Sequence, residues 1–439
     1  MIPVVTPAEM RAIDEVAVDH IDVLIGRAGR AVARAAVEML GGSYGRRVVV
    51  VAGPGNNGAD GRVAAEVLTR RGVRVTVVDP STAEPLPVAD LVIDAAFGTG
   101  LTRPYDFPPV PAGVPVLAVD IPSGVDGLSG EARGRVAAAT ETVTFAALKP
   151  GLLIEPGRSL AGKVRVEAIE GLSIHEPAVQ LVEAADVAAW TPRRQPSEHK
   201  WRSAVRVVGG SPSMTGAVEL AAGAAMRIAG YVEIAVPGRA GLDTPREAVG
   251  RRLSCTGWGG EAAADTDRLG AVLAGPGLAD ATELVPVLGI DRPLVLDASA
   301  LHTDLIDLIR ARTAPTILTP HDGEFARLGG SDRADRIGAT RALAHDLGSV
   351  VLRKGPSTIV AAPDGTTRIV ANGGPELASA GTGDVLAGIV VALVGRGVDP
   401  LEAAAAGAWI HAAAGQGRIG LVASDLVDSI PDVLRRLGG

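Results

Sequence analysis

Hydrophobic residues change their period along the chain in a way that separates strands from helices. Arg47–Ala52 is a continuous β-branched run, and such a run, apolar on both faces, predicts a buried parallel strand. Comparable runs stand at Val73–Val78, Asp90–Ala95, Pro115–Asp120 and Thr142–Phe145. Other stretches carry a helical period. Thr6-Pro7-Ala8-Glu9 has a capping threonine, a proline at the first helical position and a glutamate three after the cap. Apolar positions Met10, Ile13, Val16 and Ala17 follow at helical spacing, and further helices are expected over Val32–Leu40 and Arg62–Arg71. This alternation predicts a doubly wound α/β sheet.

The pattern breaks over residues 171–203, where Pro177, Pro192 and Pro196 stand among scattered charges (Arg193, Arg194, Glu198, His199, Lys200). A boundary near 190–200 is expected, giving domains 1–195 and 196–439. A second α/β series follows. Strands are expected near 204–208, 231–236, 271–274, 294–297, 315–319, 349–353 and 358–361, and helices at 217–229, 299–312, 333–347, 383–395 and 401–416. Pro363-Asp364-Gly365 marks a hairpin. No internal repeat relates the halves.

Composition narrows the possible functions. With 439 residues, 47% hydrophobic and 21% charged, the chain can build globular cores. A net charge of −8 is no footprint for nucleic acid or an anionic membrane. Cys255 is the sole cysteine, excluding an intrachain disulfide and a thiolate metal cluster. Neither a signal peptide nor an apolar span is expected, so a cytoplasmic protein is. Among the basic residues only Lys149, Lys163, Lys200 and Lys354 are lysine; the rest are arginine. In such a chain a lysine inside a motif points to a requirement for lysine.

The densest chemistry lies at Ala380-Gly381-Thr382-Gly383-Asp384-Val385, which opens an apolar helix. Glycines there let main-chain amides approach an anion at a helix N-terminus. A carboxylate beside bound phosphate is unfavourable unless it acts, and the fitting act is to take a proton from a hydroxyl that meets a phosphoryl group. In the N-terminal half, three strand-end loops carry oxygen ligands or amides: Gly53-Pro54-Gly55-Asn56-Asn57-Gly58-Ala59-Asp60-Gly61, Asp94-Ala95-Ala96-Phe97-Gly98-Thr99-Gly100-Leu101, and Asp120-Ile121-Pro122-Ser123-Gly124. Ligands of open α/β sheets bind at such strand ends. The two asparagines suit a hard monovalent cation or a ribose, and Gly98-Thr99-Gly100 suits a phosphate.

Together with Thr144-Phe145-Ala146-Ala147-Leu148-Lys149-Pro150-Gly151-Leu152, these loops resemble the NAD(P)H-hydrate epimerase domain. The resemblance implies a Rossmann-like fold and interconversion of R and S hydrates of NADH or NADPH. Position by position, it implies that Asn57, Asp94 and Ser123 hold potassium. It further implies that Asn56, Asn57, Gly58, Ala59, Asp60, Gly98, Thr99, Gly100, Leu101, Thr102, Arg103, Pro104 and Asp120 line the substrate. Asp120 is the candidate acid/base. Gly26 departs from the family pattern by removing a polar side chain.

The second half presents Gly209-Gly210-Ser211, Gly275-Pro276-Gly277, Thr319-Pro320-His321, Arg353-Lys354-Gly355-Pro356-Ser357-Thr358 and the 380–388 segment. In that order they resemble the ADP/ATP-dependent NAD(P)H-hydrate dehydratase, a ribokinase-like fold. The implied reaction phosphorylates the C6 hydroxyl of the S hydrate and then expels phosphate. Asp384 would be the base and the amides of Gly381, Thr382 and Gly383 the anion hole. Ala217, Gly277, His321 and Asp384 would hold the hydrate. Lys354, Gly355, Pro356, Ser357, Thr358 and Gly383 would hold the nucleotide, with magnesium. Trp201 replaces a glycine and Ser299 an acidic residue of the family pattern. A homo-oligomer is expected. Two alternatives remain at this point. One is a ribokinase-like kinase for a heterocyclic alcohol, fused to a Rossmann-like module. The other makes the N-terminal half a binding scaffold without catalysis.

Overall fold

A computed structural model of the chain describes residues 1–16, 20–170, 172, 174, 177–238, 245–331 and 334–438. Ala17 and residue 333, to which the sequence assigns helix, lie outside the described residues. The chain divides into two units, Ile2–Pro177 and Ala178–Gly439.

The first unit runs β1 (Ile2–Val4), α1 (Pro7–Val16), α2 (Ile21–Leu40), β2 (Arg47–Ala52), α3 (Asn56–Arg70), β3 (Arg74–Val78), β4 (Leu91–Ala95), β5 (Val116–Val119), β6 (Glu141–Phe145), α4 (Gly157–Ala161) and β7 (Lys163–Glu167). Its sheet has the order β3-β2-β4-β5-β6-β7, and every pair is parallel. Alternation along β2 shows why it reads as a continuous apolar run. Val48 and Val50 pack with Ala31, Ala35 and Leu68 on one face, while Val49 and Val51 pack with Leu86 and Phe107 on the other. Strand order reverses between β2 and β4, so the loops after these strands open a crevice. Helix α1 begins as expected: Thr6 Oγ1 accepts from Glu9 N and Thr6 N donates to Glu9 Oε2.

The second unit runs β8 (Val179–Leu181), α5 (Ala184–Trp190), β9 (Ala204–Val208), α6 (Thr215–Met226), β10 (Tyr231–Pro237), β11 (Val249–Leu253), α7 (Trp258–Ala263), β12 (Ala271–Ala274), α8 (Val285–Leu288), β13 (Leu294–Leu296), α9 (Ile306–Arg310), β14 (Thr316–Leu318), α10 (Asp322–Arg327), α11 (Arg336–Leu347), β15 (Val350–Arg353), β16 (Thr358–Ala361), β17 (Thr367–Val370), α12 (Thr382–Gly395), α13 (Pro400–Gly415) and α14 (Ala423–Arg436). Within this unit the strands follow the order β8-β17-β16-β15-β14-β13-β12-β9-β10-β11. Strand β16 pairs antiparallel with both β15 and β17; the other pairs are parallel. Both sheet faces are covered. Val205 and Val207 face the layer of α6, α12 and α13, whereas Val208 and Val272 face Leu284, Leu288 and Leu343.

Some elements depart from the sequence reading. The unit boundary falls at Pro177/Ala178 rather than near 195. Strand β8 pairs with β17 and α5 packs on α13, which draws residues 178–195 into the second unit. The single helix expected over 299–312 is broken: Ala298 takes φ 50° and His302 caps a short 3-10 turn before α9. Strands β7 and β11 were not anticipated, because their charged edge sequences (Lys163-Val164-Arg165-Val166-Glu167 and Val249-Gly250-Arg251-Arg252-Leu253) lack an apolar run. The hairpin forms as expected, with Gly365 N donating to Ala362 O. No helix among the described residues is long and apolar enough to cross a membrane.

Candidate active sites

In the first unit a cavity of about 570 Å³ opens at the ends of β2 and β4. Asn56, Asn57, Asp60, Gly98, Thr99, Gly100, Leu101, Thr102, Arg103 and Asp120 line it together. Gly58, Ala59 and Pro104 do not. Residues 56–61 are helical, so the loop expected at 53–61 is in fact the start of α3. Gly58 explains how. A Cβ there would fall 1.8 Å from Gly53 O, so only glycine lets the helix begin this close to the turn.

Beneath the cavity Asp94 is fully buried. It accepts from Ser123 Oγ (2.5 Å), Ser123 N (2.7 Å) and Ala96 N (3.2 Å). Burial pushes its pKa up to about 6, against the pull of these hydrogen bonds. Asn57 lies beside Gly98, its two amide atoms buried and without a hydrogen-bond partner among the described residues. An orphaned amide is unfavourable and signals a missing partner.

Asp120 follows β5 directly, at φ 69°, a strained conformation for a residue with a Cβ. Its Oδ1 accepts from Lys149 Nζ at 2.5 Å and from Thr144 Oγ1 at 3.1 Å. Lys149 is 1% exposed and also donates to Thr144 Oγ1 and Phe145 O, so its ammonium is fully used. Position Gly98 lies beside Asp120 Oδ2, the oxygen turned away from Lys149. Asp60 and Asp14 share the cavity. Burial, then Asp120 and Asp14, push Asp60 up to about 8; burial and Asp120 also raise Asp14. Sequence reasoning missed Asp14, which arrives from α1, distant in the chain, and gave Lys149 no role despite the scarcity of lysine.

In the second unit the candidate residues gather at strand ends. Gly381 caps α12 in the left-handed conformation (φ 86°), and the Thr382 amide that follows donates to Ser379 O at 3.4 Å. Thr382 Oγ1 donates to Leu377 O or Ser379 O rather than facing a ligand. Lys354, after β15, donates to Asp297 Oδ1 at 2.9 Å and lies 3.7 Å from Glu324. Position Gly383 is adjacent to its Nζ. Burial works against this ammonium, but Asp297 and Glu324 outweigh it and raise its pKa. Burial, followed by Asp297, pushes Asp384 up to about 6, partly offset by Lys354.

His321 caps α10, its Nδ1 accepting from Gly323 N and Glu324 N, while its own N–H donates to Glu324 Oε2. Ala217 and Gly277 face each other, a Cβ on Gly277 falling 3.1 Å from that of Ala217. Gly355 lies against the Arg336 guanidinium; Ser357 is buried, Thr358 opens β16, and Pro356 lies between them and Gly355. Ser299 Oγ donates to Leu278 O, and Trp201 sits in a 3-10 turn, stacked on Tyr231 at 4.4 Å. Buried His411 of α13 was missed by sequence reasoning. Its imidazole engages the Thr382 backbone, and its Nε2 has no partner among the described residues.

Comparison with known proteins agrees with this division. Residues 205–421 match the NAD(P)H-hydrate dehydratase family model, and residues 21–88 and 79–151 match that of the YjeF-related protein N-terminus. A bifunctional NAD(P)H-hydrate repair enzyme from Moorella thermoacetica is 36% identical over 99% of this chain and 97% of its own. One from Escherichia coli is 31% identical over 89% and 85%. Among solved structures, the Bacillus subtilis ADP/ATP-dependent NAD(P)H-hydrate dehydratase co-crystallised with ATP/Mg2+ has a TM-score of 0.51 and 29% identity over 58% of this chain and 97% of its own. These relatives span both halves under the repair-enzyme name, which leaves the heterocyclic-alcohol kinase reading without support. The chain belongs to the family of bifunctional NAD(P)H-hydrate repair enzymes.

Proposed function

We propose that the two sites divide the repair between them. The first interconverts the R and S hydrates of NADH or NADPH; the second dehydrates the S form at the expense of ADP or ATP. The observation that carries the second assignment is Asp384. It stands just past the Gly381–Gly383 amides, beside Lys354, with its basicity raised toward neutrality. That suits a general base. Asp384 takes the proton of the C6 hydroxyl as the hydroxyl oxygen attacks the terminal phosphorus of the nucleotide. The P–O bond to the remaining nucleotide breaks, and the anion-hole amides stabilise the transferring group. Phosphate, a better leaving group than hydroxide, then departs from C6 with its bonding pair, the ring nitrogen lone pair fills the vacancy, and loss of a proton from C5 to water restores the dihydronicotinamide. Lys354 through Thr358, with Gly381 to Gly383, hold the nucleotide, and Mg2+ accompanies its phosphates. Ala217, Gly277 and His321 hold the hydrate.

In the first unit, Asp120 acts as acid/base on the C6 oxygen, within the cavity lined by Asn56, Asn57, Asp60 and Gly98 to Arg103. Asn57, Asp94 and Ser123 would hold potassium. The unpartnered buried Asn57 amide fits this, as does a donor set of one carboxylate with neutral oxygens, which suits a hard monovalent ion. Bound there, the ion would offset the buried charge of Asp94 and tie the loops together. Exchanging potassium for tetramethylammonium is expected to lower the unfolding temperature of the wild type and to leave Asn57→Leu unaffected; equal shifts in both would contradict the assignment. The paired reaction is tested by incubating NADH hydrate with ADP or ATP. Return of the NADH absorbance is expected, and none in the absence of nucleotide.

A further inference from the structure

Asp60 is a carboxyl group without a described partner in a site that already has a reactive carboxylate. It is 8% exposed, near the start of α3, and lines the same cavity as Asp120. No hydrogen bond reaches its carboxyl group among the described residues, and the orphaned side chain of Asn57 makes none to it. Asp120 is held quite differently, paired with the buried Lys149 and hydrogen-bonded by Thr144. The charged groups sharing the cavity with Asp60 are Asp14 and Arg11 of α1, Arg103 of the loop after β4, and Asp120 with Lys149 behind it. Two carboxyls thus share one cavity, one paired with a cation and one buried beside other carboxylates, and such unlike surroundings suit unlike roles.

We propose that Asp60 is the acid of a two-carboxyl epimerase: it gives its proton to the C6 oxygen of the hydrate, while Asp120, paired with Lys149, serves as the base. This rests on the epimerase reading of the cavity. The C6–O bond breaks with its electron pair going to oxygen, which takes the Asp60 proton and becomes water. The ring nitrogen lone pair fills the vacancy at C6 as an iminium. Water then adds to the opposite face of C6 and loses a proton to Asp120. Transfer of that proton back to Asp60 through water closes the cycle, with no other reactant consumed. The raised basicity of Asp60 agrees with a group that holds its proton near neutrality.

The test measures epimerisation of purified R hydrate in water enriched in oxygen-18, using the full chain. Asp60→Asn is expected to lose about 100-fold or more in epimerisation. Oxygen-18 incorporation at C6 should fall in parallel. Saturation-transfer NMR should still show hydrate binding, and nucleotide-dependent dehydration of the S hydrate should be retained. Asp60→Ser is expected to behave alike, which covers the case in which the first variant fails to fold. Epimerisation by the Asp60 variants within about threefold of the wild type, with Asp120→Asn inactive, overturns the acid role and leaves the epimerase reading standing. Loss of hydrate binding would make Asp60 a binding residue and also overturn the acid role. Full activity in both Asp60→Asn and Asp120→Asn would instead sink the epimerase reading of the cavity.

Discussion

Each unit holds a lysine on a carboxylate, buried at Lys149 and half-buried at Lys354, yet the two pairs are wired differently. In the first unit Lys149 grips the proposed acid/base itself, Asp120, at 2.5 Å. In the second, Lys354 grips Asp297, and the proposed base Asp384 stands alongside, with no ion pair to Lys354 among the described residues. The difference fits the proposed tasks. An acid/base that must serve a neutral carbinol gains from fixed orientation. A base that must strip a hydroxyl beside incoming phosphate gains from raised basicity, and a cation kept free for phosphate gains from a neighbour that holds it in place. One residue type therefore serves as a clamp in one site and as a tuning charge in the other.

Substitutions can break this comparison. The largest effect is expected for Asp384→Asn, which should lower nucleotide-dependent NADH recovery by about 10²–10⁴-fold while epimerisation is kept. Lys149→Met comes next. It strands Asp120 beside a desolvated pocket, at a cost to the first unit of up to about 3 kcal/mol in denaturant unfolding. An unchanged midpoint would show that Lys149 is no clamp. Lys354→Met sharpens the contrast through pH. Asp384 must be ionised to act, so dehydratase kcat/KM should rise through about pH 6 and level off above it. Lys354 holds that value down, so its loss should move the rising limb to higher pH; a limb that stays in place contradicts the tuning role. The smallest effect concerns His411, whose burial pushes its pKa down from 6.5 to about 4. It is neutral in the fold and gains a proton more readily when unfolded. Its contribution to stability is complete above pH 6.5 and is lost as pH falls toward 4. His411→Gln should flatten that part of the unfolding-temperature profile.

Much of this arrangement was written in the chain. Parallel strands buried on both faces betray themselves as β-branched runs, and both reactive carboxylates stand beside glycine-containing turns at element ends. Position along the chain was the weaker guide where contacts are long-range. Asp14 enters the first site from a helix whose local pattern speaks only of packing. Asn56 to Asp60 read as loop because Gly58 and Gly61 lower helix propensity, whereas the fold needs those glycines for close approach. Edge strands β7 and β11 hide behind charge. The unit boundary followed strand pairing by β8, which no local composition reports.

The most direct test of two independent carboxylate bases begins with R hydrate and ADP or ATP, assayed with Asp120→Asn, with Asp384→Asn, and with the two variants mixed. Each variant alone is expected to leave most R hydrate unrepaired, and the mixture to restore NADH formation, because S hydrate released by one variant is dehydrated by the other. Full recovery by either variant alone, or no recovery by the folded mixture, would contradict the account.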